Sequence, residues 1–379
     1  MAQSHKPLGG SVCSSEWLSA SFRCGGAHAG FCLAFGGGVT PPLVVIDADV
    51  LGRKRTGDET YVHNLLRQLP AAAEGTLRLA AVTRRPDLVP EGVEAVELRA
   101  RSQELRMAWA LPRLLTRLRP ALAHFQHSLP LRGPSPAVIT VHDLSFERDA
   151  RVMGRWDRLV FRRVVPRSAR AAARVFAVSE RTRRDLVELY GIDERKVVVT
   201  PNAVDPAFSP APHARSHDGY LLFVGAIQER KNPLAAADAA RELGMPLVVA
   251  GPEKEPALAR ELEARGAQLR GYVEKPALAD LYRGAACVVL PSRYEGFGLP
   301  VLEAMACGTA VVAADDAAMR EVGGDAAVYA DDGRFSVAVR RALAEREERI
   351  RAGFERVRLF SWDETARRVV RAYREVLGV

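Results

Sequence analysis

Short apolar runs recur along the first half of the chain, and each is followed by a longer stretch with helical spacing. The runs lie at residues 43–50, 79–83, 122–127, 137–143, 175–179 and 197–201. Strands that are apolar on both faces and alternate with helices form parallel sheets that helices cover on both sides. The alternation therefore predicts an α/β fold built from Rossmann-like, doubly wound parallel sheets.

The alternation stops after residue 205 and restarts near residue 219, so the 379 residues divide into two domains. Residues 206–218 hold three prolines without periodicity, as a surface linker does. We predict domains at 41–205 and 219–360, and a disordered extension at the Gly- and Ser-rich residues 1–40. Because open α/β sheets bind ligands at the carboxyl ends of their strands, we expect the site in the cleft between the domains. Further apolar runs lie at 220–225, 247–251, 268–273, 287–291 and 310–314.

Composition excludes several classes of protein. The five cysteines are an odd number without a CxxC pair, which argues against a disulfide framework and against a zinc site. No apolar run approaches the roughly 18 residues that span a bilayer, and residues 1–40 do not resemble a signal peptide, so we expect a cytoplasmic protein. The net charge of +8 comes with 48 arginines and six lysines, a bias that does not by itself indicate a nucleic-acid partner.

The most informative stretch is Pro291–Gly308, PSRYEGFGLPVLEAMACG. It follows an apolar strand, turns through Gly296 and Gly298, and enters a helix with a proline near the first position, where a missing N–H is tolerated. The N–H groups of Phe297, Gly298 and Leu299 would then lie at a helix N-terminus, a favourable place for an anion such as a diphosphate.

Two carboxylates of this stretch, Glu295 in the loop and Glu303 about one turn into the helix, can face one pocket and accept hydrogen bonds from sugar hydroxyls. The stretch resembles the E-x7-E signature of the retaining glycosyltransferases of family 4, glycosyl transferases group 1, which have the GT-B fold of two Rossmann-like domains facing a cleft. The resemblance covers residues 43–379. It implies that Glu295 contacts the transferred sugar and that Glu303 contacts the nucleotide ribose.

The loop after the strand at 220–225 resembles the family's loop whose basic residues hold the donor diphosphate. This implies a donor-site position for Gly225 and a catalytic role for Arg230 and Lys231, whose charges would stabilise the leaving phosphate. Many family members have Arg directly after the glycine, where this chain has Ala226. Backbone groups near Val273 are expected to help select the nucleotide base.

In the first domain, His142 ends a strand and resembles the family's His-Asp element beside the donor sugar, which implies a catalytic role. Gly57 lies in the loop after the first strand, where a glycine would let the backbone approach a phosphate or the acceptor. The segment 124–127, HFQH, closes another strand, and two interpretations are open: it lines the acceptor pocket, or it packs in the core.

Asp47 and Asp49 resemble the metal-binding DxD motif of a different glycosyltransferase fold. Because the donor diphosphate would already have cations and a helix N-terminus in the other domain, we predict no metal site, no cofactor and metal-independent catalysis. Residues 361–379 begin at a Ser-Trp pair and resemble the family's last helix, which packs back on the N-terminal domain.

Nine arginines lie between residues 148 and 174, spaced mostly three or four apart. On a helix this spacing places them on one or two faces. One interpretation is a solvated surface in an arginine-rich protein. The other is peripheral contact with anionic lipids at the inner face of a membrane, or guidance of a phosphorylated, lipid-linked acceptor.

These observations predict a glycosyltransferase of polysaccharide biosynthesis that moves a hexose from a nucleoside-diphosphate sugar to a hydroxyl of a glycan, a lipid-linked intermediate or a small molecule. The Arg-Lys-Asn loop at 230–232 resembles that of the family's mannosyltransferases, which implies GDP-mannose as the donor. Two alternatives use other chemistry. A nucleotide-sugar epimerase or hydrolase of the same fold would need no acceptor, and a nucleic-acid-binding protein would not need Glu295 and Glu303.

Overall fold

A computed structural model describes residues 40–53, 56–148, 154–211 and 219–379 of the chain. The predicted N-terminal extension, apart from its last residue, and most of the predicted linker lie outside the described residues.

The described strands form two sheets, and every pair of neighbouring strands is parallel. The first sheet has the order β3-β2-β1-β4-β5-β6-β7, and the second has the order β10-β9-β8-β11-β12-β13. The strands are β1 (Leu43–Asp47), β2 (Arg78–Thr83), β3 (Glu94–Glu97), β4 (Leu122–Gln126), β5 (Ala137–Val141), β6 (Arg174–Ala177), β7 (Val197–Val199), β8 (Leu221–Val224), β9 (Leu247–Ala250), β10 (Gln268–Leu269), β11 (Cys287–Leu290), β12 (Val311–Ala314) and β13 (Val328–Ala330).

Helices or helical turns connect most consecutive strands, as is usual for parallel pairs, and the connection from β4 to β5 is a loop. A π-helical turn at Arg106–Ala110 precedes α3. Over the described ranges the helices are α1 (Thr56–Ala73), α2 (Gln103–Leu105), α3 (Leu111–Leu118), α4 (Ser145–Arg148), α5 (Arg155–Ala171), α6 (Glu180–Tyr190), α7 (Pro233–Leu243), α8 (Pro256–Ala264), α9 (Lys275–Gly284), α10 (Leu299–Ala306), α11 (Ala317–Gly323), α12 (Phe335–Ala344), α13 (Arg346–Val357) and α14 (Trp362–Leu377). No helix in the described residues is both long and apolar enough to cross a membrane.

The predicted fold class is confirmed, and the differences lie at the sheet edges. The sequence analysis missed β3 and β13, which are the outermost strands of their sheets. In β3 only Val96 is buried, so this strand lacks the continuous apolar run of a central strand. The run at 268–273 forms a strand only over Gln268–Leu269, because Gly271 then turns the chain with φ +60°.

The last helix, α14, belongs to the core of the first domain. It packs against α1, and Tyr373 Oη lies 2.6 Å from His124 Nδ1, while Thr365 Oγ1 donates to the carbonyl of Pro201 at 2.6 Å. The second ring nitrogen of His124 lies 2.7 Å from Thr140 Oγ1, and burial lowers the pKa of His124 to about 3. Of the two interpretations of the 124–127 segment, core packing therefore holds for His124.

Candidate functional site

The carboxyl edges of the two sheets face each other, and they touch at Gly296 in the loop after β11. A Cβ atom on Gly296 would lie 2.1 Å from the carbonyl oxygen of His142 and 2.8 Å from the Cβ of Asp143. Real atoms do not approach so closely, so this contact requires glycine. The loops after β5 and β11 are thereby held in direct contact across the cleft.

Hydrogen bonds reinforce the contact between the domains. The Gly296 carbonyl accepts from Ser179 Oγ and Thr182 Oγ1 at the start of α6, and Tyr294 Oη donates to Asp185 at 2.8 Å. Glu321, on α11 of the second domain, accepts from two backbone N–H groups in the first turn of α6. A carboxylate is favourable there because a helix N-terminus carries partial positive charge.

Beside this contact, Glu295 lies between two cations. Its carboxylate pairs with Lys231 Nζ, and its other oxygen lies 3.6 Å from Arg230 Nη1. Burial alone would raise the pKa of Glu295, but the two positive charges outweigh burial and hold this pKa below its usual value. Burial lowers the pKa of Lys231 against the opposing effect of Glu295.

Arg230 and Gly225 complete this side of the site. Arg230 Nη1 donates to the carbonyl of Tyr294 at 2.6 Å, which ties the loop after β8 to the loop after β11. Arg230 Nε is buried and has no hydrogen-bond partner among the described residues. Gly225 follows β8, and a Cβ there would lie 3.8 Å from Lys231 Cδ, so this glycine lies along the lysine stem.

The glycine-rich turn leads into α10 as the sequence predicts. Gly298 is the N-cap residue with φ +102°, Leu299 is the first residue of the helix, and Pro300 follows it. The ring of Phe297 is buried edge-on against Phe360, with ring centroids 5.8 Å apart, so the turn is anchored in the core. The first N–H groups of α10 have no earlier helical carbonyls to bind.

Glu303 lies one turn further along α10 and has a different environment from Glu295. It accepts a hydrogen bond from Tyr282 Oη at 2.8 Å, and burial raises the pKa of Glu303 to about 7. Tyr282, in α9, was not identified from the sequence, because nothing in the spacing of α9 and α10 pairs the two residues. Val273 is half-buried in the loop before α9 and packs against the same apolar cluster as Tyr282.

Across the cleft, His142 follows β5 with its side chain 8% exposed, and its Nε2 lies 2.9 Å from Gln126 Oε1. Burial lowers the pKa of His142 to about 4. Its Nδ1 faces Asp58 Oδ1 at 3.9 Å, and His127 Nε2 lies 3.8 Å from Asp58 Oδ2. Burial would lower the pKa of His127, but the negative charge of the nearby Asp58 carboxylate outweighs it and raises this pKa.

Gly57 lies in the first turn of α1, next to Asp58, rather than in an open loop. It is exposed, and a Cβ there would meet nothing within 4 Å. The structure therefore supplies no steric reason for a glycine at position 57. Asp58, which the sequence analysis did not single out, is the residue of this segment that faces the cleft histidines.

The DxD-like aspartates bind arginines. Asp47 accepts two hydrogen bonds from Arg106, at 3.0 and 2.5 Å, and Asp49 accepts from Arg84 at 2.9 Å and pairs with Arg53. The side chain of Arg106 is only 1% exposed. These carboxylates form a buried ionic cluster behind the site, and Arg106 was not identified from the sequence.

Comparison with known proteins agrees with this geometry. Residues 204–353 match the family model of glycosyl transferases group 1, and residues 55–208 match that of glycosyltransferase family 4. The chain belongs to the family 4 glycosyltransferases. The predicted family and enzyme class are thus confirmed.

Curated relatives of this glycosyltransferase include the O-antigen chain mannosyltransferase B of Escherichia coli, 29% identical over 78% of this chain and 83% of the relative. The D-inositol 3-phosphate glycosyltransferase of Kineococcus radiotolerans is 38% identical over 43% of each chain. The enzyme of that name from Acidothermus cellulolyticus is 32% identical over 64% of this chain and 62% of its own length. The alignments to these two inositol phosphate enzymes thus span less than two thirds of their length.

Solved structures show the GT-B fold of the glycosyltransferase. Sucrose-phosphate synthase from Thermosynechococcus elongatus superposes with a TM-score of 0.71 at 19% identity, over 89% of this chain and 99% of that one. Anabaena HepE in complex with UDP and glucose superposes with a TM-score of 0.68 at 13% identity, over 88% and 100% of the two chains. At these identities the likeness concerns the fold alone.

Replacing Arg106 tests whether Asp47 and Asp49 are structural. We expect Arg106→Met to lower the free energy of unfolding by about 3–5 kcal/mol, because it leaves buried carboxylates without their partner. Urea denaturation measures the loss. Arg99→Met is the control: this arginine is 83% exposed beside Glu97, and its removal should cost less than about 1 kcal/mol. Equal effects of the two substitutions would contradict a buried structural pair.

The raised pKa of Glu303 predicts a pH-dependent stability. Between its ordinary pKa of 4.5 and its folded value of about 7, the folded protein holds a proton that the unfolded chain has lost, so stability falls as pH rises through this window. Glu303→Gln carries no charge and should be more stable than the wild type at pH 8, with the difference shrinking towards pH 5. Urea denaturation at both pH values measures this difference. Glu263→Gln, at an exposed position of α8, is the control and should show the same difference from wild type at both pH values. An effect of Glu303→Gln that does not depend on pH would contradict the raised pKa of Glu303.

Proposed function

We propose that this glycosyltransferase is a retaining, metal-independent hexosyltransferase that uses a nucleoside-diphosphate sugar. The observation that carries the proposal is the placement of Lys231 and Arg230 around Glu295, beside the N-terminus of α10 and against the loop that bears His142. Protein cations at this position supply the charge that a metal ion supplies in other transferases.

The donor diphosphate fits the positive groups of the second domain. Two cations surround one carboxylate, which leaves a net positive charge, and the N-terminus of α10 adds the partial positive charge of a helix dipole. The buried Arg230 Nε has no acceptor among the described protein groups, and a phosphate oxygen would satisfy it. A diphosphate is therefore the ligand chemistry that this side of the cleft favours.

The sugar and the nucleoside fit the carboxylates. The ionised Glu295 would accept hydrogen bonds from hydroxyls of the hexose, with His142 on the opposite wall of the cleft. Glu303 lies further along α10 and would accept from the ribose hydroxyls, with backbone near Val273 beside the base. Each of these contacts is a proposal that follows from the position of the residue and from the family resemblance.

The transfer step would be a front-face displacement. The bond between C1 of the hexose and the diphosphate oxygen breaks, the acceptor oxygen forms a bond to C1 on the same face, and the acceptor proton passes to the leaving diphosphate. Lys231 and Arg230 stabilise the charge that develops on the diphosphate. Glu295 is held by two cations, which weakens it as a nucleophile. Trapping of a covalent glycosyl-enzyme adduct would overturn this mechanism.

The relatives suggest the substrates. The likeness to O-antigen chain mannosyltransferase B over most of both chains supports mannose as the hexose and a polysaccharide or its lipid-linked precursor as the acceptor. The partial likeness to D-inositol 3-phosphate glycosyltransferases supports a small phosphorylated polyol as the second candidate. We propose that the enzyme acts in the cytoplasm, at the inner face of the membrane.

Calorimetry tests the donor site. Titration of the purified protein with GDP, UDP and ADP in EDTA should give binding of one nucleotide, and Glu303→Ala should weaken it at least about tenfold, the effect of losing a charged hydrogen bond. Glu263→Ala, at an exposed position of α8, is the matched control and should bind as the wild type does. Binding that requires an added divalent metal would contradict metal-independent donor recognition.

We further propose that α5 contacts an anionic membrane. The arginines alone do not support this contact, because five of the nine arginines between residues 148 and 174 bind groups of the protein itself. These five are Arg148, Arg158, Arg162, Arg170 and Arg174. Among the exposed residues of α5, one face joins apolar and basic side chains at helical spacing: Trp156, Leu159, Val160, Arg163 and Arg167.

The apolar part of this face is unusual for a surface helix. Trp156 is 79% exposed, Val160 53% and Leu159 40%, so the N-terminal half of α5 presents large apolar groups to solvent. The helix α5 is about 25 Å long, and its C-terminal end leads into the start of β6, at the amino edge of the sheet. Its N-terminal half therefore lies towards the carboxyl edge, where the cleft opens. Apolar insertion flanked by arginines is typical of helices that lie in a membrane interface.

Vesicle co-sedimentation tests the membrane contact. The protein should bind vesicles containing phosphatidylglycerol at low salt and not those of phosphatidylcholine alone. The double substitution Trp156→Ser and Val160→Ser should reduce binding at least about tenfold, because burial of these side chains contributes about 1.5–3 kcal/mol each. Val337→Ser, at a position 56% exposed on α12, is the control. Equal binding of the two variants would exclude this face of α5.

A further inference from the structure

Three side chains of the first domain that can ligate metals converge at the carboxyl edge of its sheet. Asp58 lies in the first turn of α1, which follows β1, while His127 directly follows β4 and His142 directly follows β5. Because β1, β4 and β5 are consecutive neighbours in the sheet, the topology brings these three positions together. One ligand atom from each lies within 4.8 Å of the others.

The individual distances are close to those of a preformed metal site. The carboxylate oxygens of Asp58 lie 3.8 Å from His127 Nε2 and 3.9 Å from His142 Nδ1. Ligands about 2.0–2.1 Å from a tetrahedral ion lie about 3.4 Å apart. The three ligand atoms, which lie within 4.8 Å of one another, would therefore have to approach by at most about 1.4 Å to close around one ion.

The hydrogen bonds around His142 favour a cation between these groups. Gln126 Oε1 can only accept, so its contact with His142 Nε2 at 2.9 Å places the proton on that nitrogen and directs the lone pair of Nδ1 towards Asp58. A cation placed between this lone pair and the Asp58 carboxylate, 3.9 Å apart, would be attracted to both. Orientation of a ligating imidazole by a hydrogen bond to its other nitrogen is the usual arrangement at metal sites.

We propose that Asp58, His127 and His142 bind one divalent transition-metal ion of the zinc class, and that the bound ion inhibits glycosyl transfer. Two imidazoles and one carboxylate are the ligand set that Zn²⁺ and its neighbours prefer, whereas Mg²⁺ prefers oxygen alone. Asp58 is 34% exposed, so the site opens towards the cleft and leaves a position for water. The inhibitory effect rests on the proposed function, whereas the binding of the ion does not.

Inhibition follows from the position of His142. The carbonyl of His142 contacts Gly296, and Glu295 directly precedes Gly296 in the loop after β11. An ion on His142 Nδ1 would therefore lie in the part of the cleft where sugar and acceptor hydroxyls must fit. The cations around Glu295 and the environment of Glu303 lie on the second domain and would be left unchanged. The ion should therefore block transfer without preventing nucleotide binding.

Metal binding is tested by calorimetric titration of the full-length, untagged protein with Zn²⁺ and by the visible absorption of bound Co²⁺. The wild type should bind one ion per chain at this site, and His127→Gln and Asp58→Asn should each bind it at least about tenfold more weakly. His63→Gln, an imidazole on α1 outside the cluster, is the control and should match the wild type. Thermal unfolding of each variant establishes that it is folded, and two independent ligand substitutions keep the test decisive if one variant does not fold.

Two results would overturn the proposal: no binding of Zn²⁺ by the wild type, or binding that His127→Gln and Asp58→Asn leave unchanged. In a transfer assay, Zn²⁺ should inhibit the wild type reversibly, with activity restored by EDTA, while GDP or UDP still binds in its presence. Failure of every nucleotide to bind would refute the proposed donor site and leave the result for Zn²⁺ intact, so the two proposals are tested separately.

Discussion

The site depends on a steric constraint at Gly296, where the backbone of the second domain touches the carbonyl of His142 in the first. A side chain at this position would separate the two loops. Because Tyr294 and Glu295 precede this glycine, Tyr294 reaches Asp185 across the cleft, while Glu295 pairs with Lys231 of its own domain directly beside the contact. The functional groups of two independent sheets thus acquire a common geometry from one close backbone approach.

The two glutamates of the signature differ in charge although they lie eight positions apart in one motif. Two cations outweigh burial at Glu295 and hold its pKa below the usual value, whereas at Glu303 burial outweighs the hydrogen bond from Tyr282 and raises the pKa to about 7. Environments that separate the pKa values of two carboxylates assign them different tasks. Glu295 is suited to a position near developing positive charge, and Glu303 is suited to hydrogen bonds from neutral hydroxyls.

Much of the fold could be predicted from the chain because central parallel strands are continuously apolar, whereas the edge strand β3 has one buried residue and lacks that signal. The edge strand β13 is apolar but only three residues long, which makes it difficult to recognise from its pattern. Local motifs indicated Glu295, Lys231 and His142, since each lies at the end of a strand or in the loop after it, and Glu303, which follows Glu295 in the same motif. The partners Arg106 and Tyr282 could not be predicted, because only the tertiary fold pairs them with the carboxylates of Asp47 and Glu303. On α5 the spacing of the arginines indicated a basic surface. The exposed apolar residues between them were not identified, because spacing does not show which side chains are exposed.

The packing of α14 has a consequence for how the protein is made. Tyr373, close to the last residue, completes the hydrogen bonds of His124, and Thr365 and Arg374 bind carbonyls of the first domain. During synthesis, the N-terminal sheet is therefore translated long before the helix that covers α1 leaves the ribosome. The apolar surface that α14 covers stays exposed until the second domain has been translated, so the native packing of the first domain is completed only after the second domain has been made.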